Sequence, residues 1–147
     1  MRWVAMGLVD RLEAEFLPLL RTLEAELRER YPDREFTTGS SPTGRLTSYQ
    51  GHTLHIECLF PAREASEPDN VALTIDVCHL DQVPQIMAGV CWGHPGGMLE
   101  DSLDATGTGS NEDWPEASDQ TLTRLSQTFP RLADSFARAV SRGRPAD

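Results

Sequence analysis

A two-layer α+β fold, with N- and C-terminal helices packed on one face of a four- to five-stranded antiparallel meander sheet, is predicted by three features of the chain. Apolar residues recur at helical spacing near each end. Between them lie short segments in which apolar and polar residues alternate. Both helical segments carry a single apolar stripe, so the simplest burial places them together on one sheet face and leaves the other free.

The first helix rests on Val9, Leu12, Phe16, Leu19, Leu20, Leu23 and Leu27, with Glu and Arg on the opposite side. The opening residues Met1 to Asp10 read as its first turns rather than a leader, because Asp10, Arg11 and Glu13 cut the apolar stretch short. Pro18 predicts a kink or break, and the helix should end near Tyr31-Pro32. The polar stretch from Asp33 to Gly44 reads as a loop.

Strands follow at His52–Phe60 and Val71–Cys78, where apolar and polar residues alternate, and more weakly at Ile86–Trp92 and Met98–Leu103. An earlier strand would precede Gly51. A two-residue turn at Gln50-Gly51 places Arg45, Thr47 and Tyr49 on the face of Leu54 and Ile56. A three-residue loop, Tyr49 to Gly51, sets Leu46 opposite Leu54 and is preferred. His94-Pro95-Gly96-Gly97 suits a type II turn better than a phosphate cradle, since no helix start or lysine accompanies it and Glu100-Asp101 follow.

The second helix follows Leu122, Leu125, Phe129, Leu132, Phe136, Ala139 and Val140, with Ser118 as N-cap and Gly143 as the stop. Pro130 inside it predicts a kink or two shorter helices. No linker or internal repeat divides residues 1–147, so a single domain is expected, and this length buries roughly two-thirds of the unfolded surface.

Charge narrows the function classes. All 13 basic residues are arginine. From Glu64 to Asp119 there are 12 acids and no base, against a net charge of −10 for the whole chain, so the acidity belongs to the middle. A nucleic-acid partner is disfavoured, because phosphate needs a cationic footprint. A basic protein partner is allowed. No apolar run reaches the 18 or so residues of a membrane span. Cys58, Cys78 and Cys91 sit in or beside apolar segments and read as reduced thiols, which points to the cytoplasm.

Two surfaces could carry function. The acidic stretch around Trp114-Pro115, with Glu112, Asp113 and Glu116, joins negative charge to an indole, and Glu100 adds to it; these are the candidate partner-binding residues. On the sheet, Leu54, Ile56, Cys58, Leu73, Ile75, Val77, Val90 and Trp92 are expected beneath the helices. His55, Glu57, Thr74, Asp76, Cys78, Gly89, Cys91 and Glu100 are expected on the other face. With Phe60 opposite Val71, His55 stands across from Asp76 and Glu57 across from Thr74, about 5 Å apart at Cβ. His55, Glu57 and Asp76 are thus a candidate metal or general-base site. His52 and His55, three apart on a strand, point to opposite faces and cannot share a metal. Cys78 and Cys91 lack basic neighbours, Ser40, Ser41 and Ser110 lack a nucleophile-elbow context, and no cofactor is expected.

In size, acidity and helix–meander–helix plan the chain is similar to small bacterial immunity proteins that neutralise secreted toxins, and to acidic secretion chaperones. Such chaperones carry a middle helix, for which Leu80 to Gln85 leaves barely a turn. The resemblance implies a non-catalytic module for a basic protein partner. The alternatives are an enzyme or metal protein using the sheet site, and a homodimer formed through the open face or an edge strand.

Overall fold

The computed structural model describes residues 2–43, 51–60, 70–78, 83–93, 99–103 and 115–143, side chains at 2–6 and 43 apart. Seven elements follow in chain order: α1 (Arg2–Arg30), β1 (Glu35–Thr43), β2 (Gly51–Leu59), β3 (Asn70–Cys78), β4 (Gln85–Trp92), β5 (Leu99–Ser102) and α2 (Asp119–Arg142). The strands form one antiparallel sheet in the order β1-β2-β3-β4-β5. Helix α1 lies over β1 and β2, and α2 over β3, β4 and β5. This is the predicted α+β arrangement.

The core forms where the two apolar stripes meet the sheet. From α1 come Leu8, Leu12, Phe16, Leu20 and Leu27; Leu19, expected in the stripe, is 42% exposed. Every residue predicted for the α2 stripe is buried. All eight predicted inward strand residues are buried as well, joined by Phe36, Val71, Ile86 and Ala88. The helices touch through Phe16 and Phe129, ring centroids 6.0 Å apart.

Neither proline breaks its helix, so of the two expected outcomes, kink or break, the break does not occur. Pro18 and Pro130 are both exposed, while Phe16, Leu20, Phe129 and Leu132 beside them are buried. Packing of these flanking turns offsets the roughly 3 kcal/mol a mid-helix proline costs, and a ring on the outer side meets solvent rather than the core. Ser118 caps α2 by accepting from the Thr121 N–H at 3.1 Å. Gly143 ends it with a left-handed φ of 80° and donates its N–H to the Ala139 carbonyl.

Three registers differ from the sequence reading. The stretch read as a loop, Asp33 to Gly44, supplies β1, with Ser40 rather than Leu46 opposite Leu54. Its alternation was hidden because only Phe36 buries an apolar group. Thr38 instead donates to Glu24 of α1 at 3.2 Å, and Ser40 pairs with His52 Nε2 at 2.5 Å. Leu46 and the residues of the expected tight turn before Gly51 lie outside the described residues. Between β2 and β3 the register is two residues from that expected: Thr53 faces Asp76 and His55 faces Thr74. A two-residue shift keeps every side chain on its face, which is why the core was still read correctly. Finally, a bulge opposite Val90 and Cys91 pairs Val90 with Asp101 and Cys91 with Leu99. Glu100 is the extra residue, and it turns to the helix side instead of the open face.

Candidate functional site

The sheet face away from the helices carries the odd-numbered residues of β1, β2 and β4 and the even-numbered ones of β3. Asp76 stands on its middle strand, β3. Thr53 Oγ1 on β2 donates to Asp76 Oδ1 at 2.6 Å, and Thr74 Oγ1 donates to Oδ2 at 2.8 Å. Met87 stands opposite on β4. Burial raises the Asp76 carboxyl above the usual carboxylate range, while the two threonine hydroxyls and the charge of His55 act against that rise. Glu57, further along β2, accepts from Asn70 Nδ2 at 3.1 Å.

His55 lies over Gly39 of β1. A Cβ built at Gly39 would stand 3.2 Å from His55 Cε1, so glycine makes room for the ring. His52, bonded to Ser40, belongs to the helix side, and the two histidines look in opposite directions as their spacing requires. The predicted trio of His55, Glu57 and Asp76 shares a face but does not converge. Among the described residues, no three His, Cys, Asp or Glu side chains are grouped to hold a metal ion. The register keeps the three apart, giving Asp76 to Thr53 and leaving Glu57 beside Ala72.

The cysteines are held as thiols. Burial pushes Cys58 up to about 11 despite the charge of Arg34 beside it. Burial, reinforced by the charge of Asp76, raises Cys78 and Cys91. Thiols so raised are poor nucleophiles at neutral pH.

The candidate partner-binding residues separate. Glu116 pairs with Gln85 in an isolated antiparallel bridge, which puts it on the same face as Asp76, and it is exposed. Glu100 is engaged on the helix side: the Trp92 indole donates to Glu100 Oε1 at 2.7 Å, and Arg142 forms an ion pair with the same oxygen. Glu112, Asp113 and Trp114 lie outside the described residues. Their anchors are described, however. The Leu103 N–H donates to the Ala88 carbonyl at 2.8 Å, and the Ile86 N–H donates to the Pro115 carbonyl at 2.9 Å. The chain carrying these residues therefore leaves and rejoins one edge of β4 at points two residues apart.

Arginine is distributed the other way. Among the described residues, no strand contains one. Four stand on α2, and three of these reach β5 or the residue after it: Arg124 donates to the Leu103 carbonyl at 3.3 Å, Arg131 donates to Asp101 and to the Ser102 carbonyl, and Arg142 pairs with Glu100. Burial opposes ionisation of Asp101, but hydrogen bonds from Ser135, Arg131 and the Ser102 N–H, with the Arg131 charge, hold its carboxyl below the usual range. The α2 arginines thus pair with Glu100 and Asp101 on the helix side, whereas Glu35, Glu57, Asp76 and Glu116 on the opposite face have no arginine among the described residues of that face. On the helix side, a groove of about 510 Å³ between the helices is bridged by Arg11 and Asp119 at 3.0 Å.

The sequence reading missed Thr53, although alternation alone puts it on the face of His55 and Glu57. It also missed the Ser40–His52 contact, which depends on a strand that was not recognised. No described helix is long and apolar enough to cross a membrane. Compared with protein families, with curated proteins and with solved structures, the chain finds no match.

Proposed function

We propose that this chain is a non-catalytic protein-binding module that presents its acidic sheet face, and the acidic segment anchored beside it, to a basic protein. In this reading it acts in the manner of a small bacterial immunity protein that neutralises a toxin. The observation that carries the proposal is the segregation of charge between the two layers. Arginines lie on the helices, where Arg131 and Arg142 are bonded to β5, and the sheet face carries carboxylates that meet no arginine among its described residues. An arrangement of this kind attracts a cationic partner to one side of the molecule and speeds its encounter. The raised thiols of Cys58, Cys78 and Cys91 argue against cysteine chemistry and so favour binding over catalysis.

The test compares three chains in capturing a basic partner at roughly 50 mM and roughly 500 mM salt, below and above physiological screening. They are the wild type, Glu57→Lys, and the triple variant Glu112→Lys/Asp113→Lys/Glu116→Lys. Capture by the wild type at low salt, lost in both variants with circular dichroism unchanged, supports the reading. Equal capture by all three overturns it. If the captured protein is toxic, protection of cells by the wild type and not by the variants is the expected sign of an immunity role.

A further inference from the structure

We infer that Asp76 is the anchor of this face, the point at which the partner seats a cation, and that the cation is an arginine guanidinium. The inference rests on the proposed binding role and specifies its chemistry. Asp76 differs from Glu57, the other carboxylate of an inner strand on this face, in having both oxygens held rather than one. Its two oxygens each accept one neutral hydroxyl, from Thr53 and Thr74. A carboxylate offers about four acceptor sites, so one remains on each oxygen. Two acceptors side by side match the parallel N–H pair of a guanidinium, whereas an ammonium is a point charge without that fork. The threonines fix the orientation of the carboxylate in advance, which lowers the ordering cost of the contact.

There is also a need for such a partner. A partly buried carboxylate held by neutral donors loses hydration without receiving a full counter-charge. Among the described residues the charge acting to stabilise its ionised form is that of His55, whose ring lies over Gly39 on the far side of β2. No arginine stands in a strand among the described residues to complete the pair.

The experiment titrates fluorescent hexa-arginine and hexa-lysine peptides into the wild type, Asp76→Asn and the double variant Glu57→Gln/Glu116→Gln at low salt, reading anisotropy, and records the melting temperature of each chain. The expected result is tighter binding of hexa-arginine than of hexa-lysine by the wild type. In Asp76→Asn that preference should disappear, with about a tenfold or greater loss for hexa-arginine and no fall in melting temperature. If Asp76→Asn keeps both affinity and preference while the double variant loses binding, the anchor is wrong and the acidic face stands. If neither variant changes binding, the face reading falls with it. A drop in melting temperature with affinity intact makes Asp76 a strand tie and overturns the inference. Should Asp76→Asn fail to fold, the carboxyl ¹³C resonance of Asp76 in the wild type decides: displacement by hexa-arginine beyond that by hexa-lysine supports the anchor, and equal or no displacement refutes it.

Discussion

The indole of Trp92, buried at the end of β4, donates its only N–H to Glu100, the extra residue of the β5 bulge, across 2.7 Å. Phe60 stacks on the same indole with centroids 5.6 Å apart, and the guanidinium of Arg34 lies 4.7 Å from the Phe60 ring. The bulge therefore serves packing: it turns a carboxylate inward to satisfy a buried donor. Glu100→Ala is expected to cost about 1–3 kcal/mol, the range for leaving a buried polar group unpaired. Glu100→Gln, which keeps an acceptor, should cost less. Urea denaturation followed by tryptophan fluorescence measures both.

Asp101 sets an acid limit. Its folded carboxyl titrates below the ordinary carboxylate value, so its contribution to stability is present above the unfolded pKa of about 3.9. That contribution is lost as pH falls through the lowered folded value. Asp101→Asn should lower stability at pH 7, and the gap from wild type should close as the medium is acidified below about pH 4. Denaturant midpoints across pH 2–7 test this.

For Asp76 the sign is reversed. Its folded pKa is raised, so the protonated form favours the native state. The associated stability is fully present below the unfolded pKa and is lost as pH rises through the folded one. Asp76→Asn, uncharged at every pH, should match or exceed wild-type stability at pH 7 and lose that advantage in acid. Paired thermal melts at pH 3.5 and pH 7 would reveal the opposite trend if the sign is wrong.

Two glycines should respond differently to alanine. At Gly89 a Cβ would stand 3.1 Å from the backbone carbonyl of Asp101, a strand residue paired with Val90 and so unable to swing aside. At Gly39 the obstacle is the His55 ring, which can rotate. Gly89→Ala is expected to destabilise, by about 1–3 kcal/mol as for an overpacked site, whereas Gly39→Ala should chiefly move the His55 ring resonances. Calorimetry and NMR of the two variants separate the cases.

Phe136 is fully buried beneath α2. Phe136→Ala should cost about 3–5 kcal/mol, detectable as a shifted denaturation midpoint with an unchanged slope.

The layers and the core were legible in the sequence because both periodicities are explicit: Leu122 to Val140 every three or four residues, Leu54, Ile56 and Cys58 every two. Register was not, since a two-residue slide between β2 and β3 leaves the same residues buried. That slide is enough to exchange His55 for Thr53 as the partner of Asp76 and to dissolve the supposed metal trio. β1 was illegible for another reason. Thr38 and Ser40 meet the helix side through hydrogen bonds to Glu24 and His52, so polar residues occupy positions where alternation would call for apolar ones. Glu100 was misplaced because a bulge leaves no mark in a short strand.

The arginines of α2 have a consequence for assembly. By bonding the Ser102 carbonyl, Arg131 removes an acceptor that an incoming strand would use at the β5 rim. A strand arriving there would have to displace that guanidinium first, so the same arginine that ties α2 to the sheet also stands guard over its border.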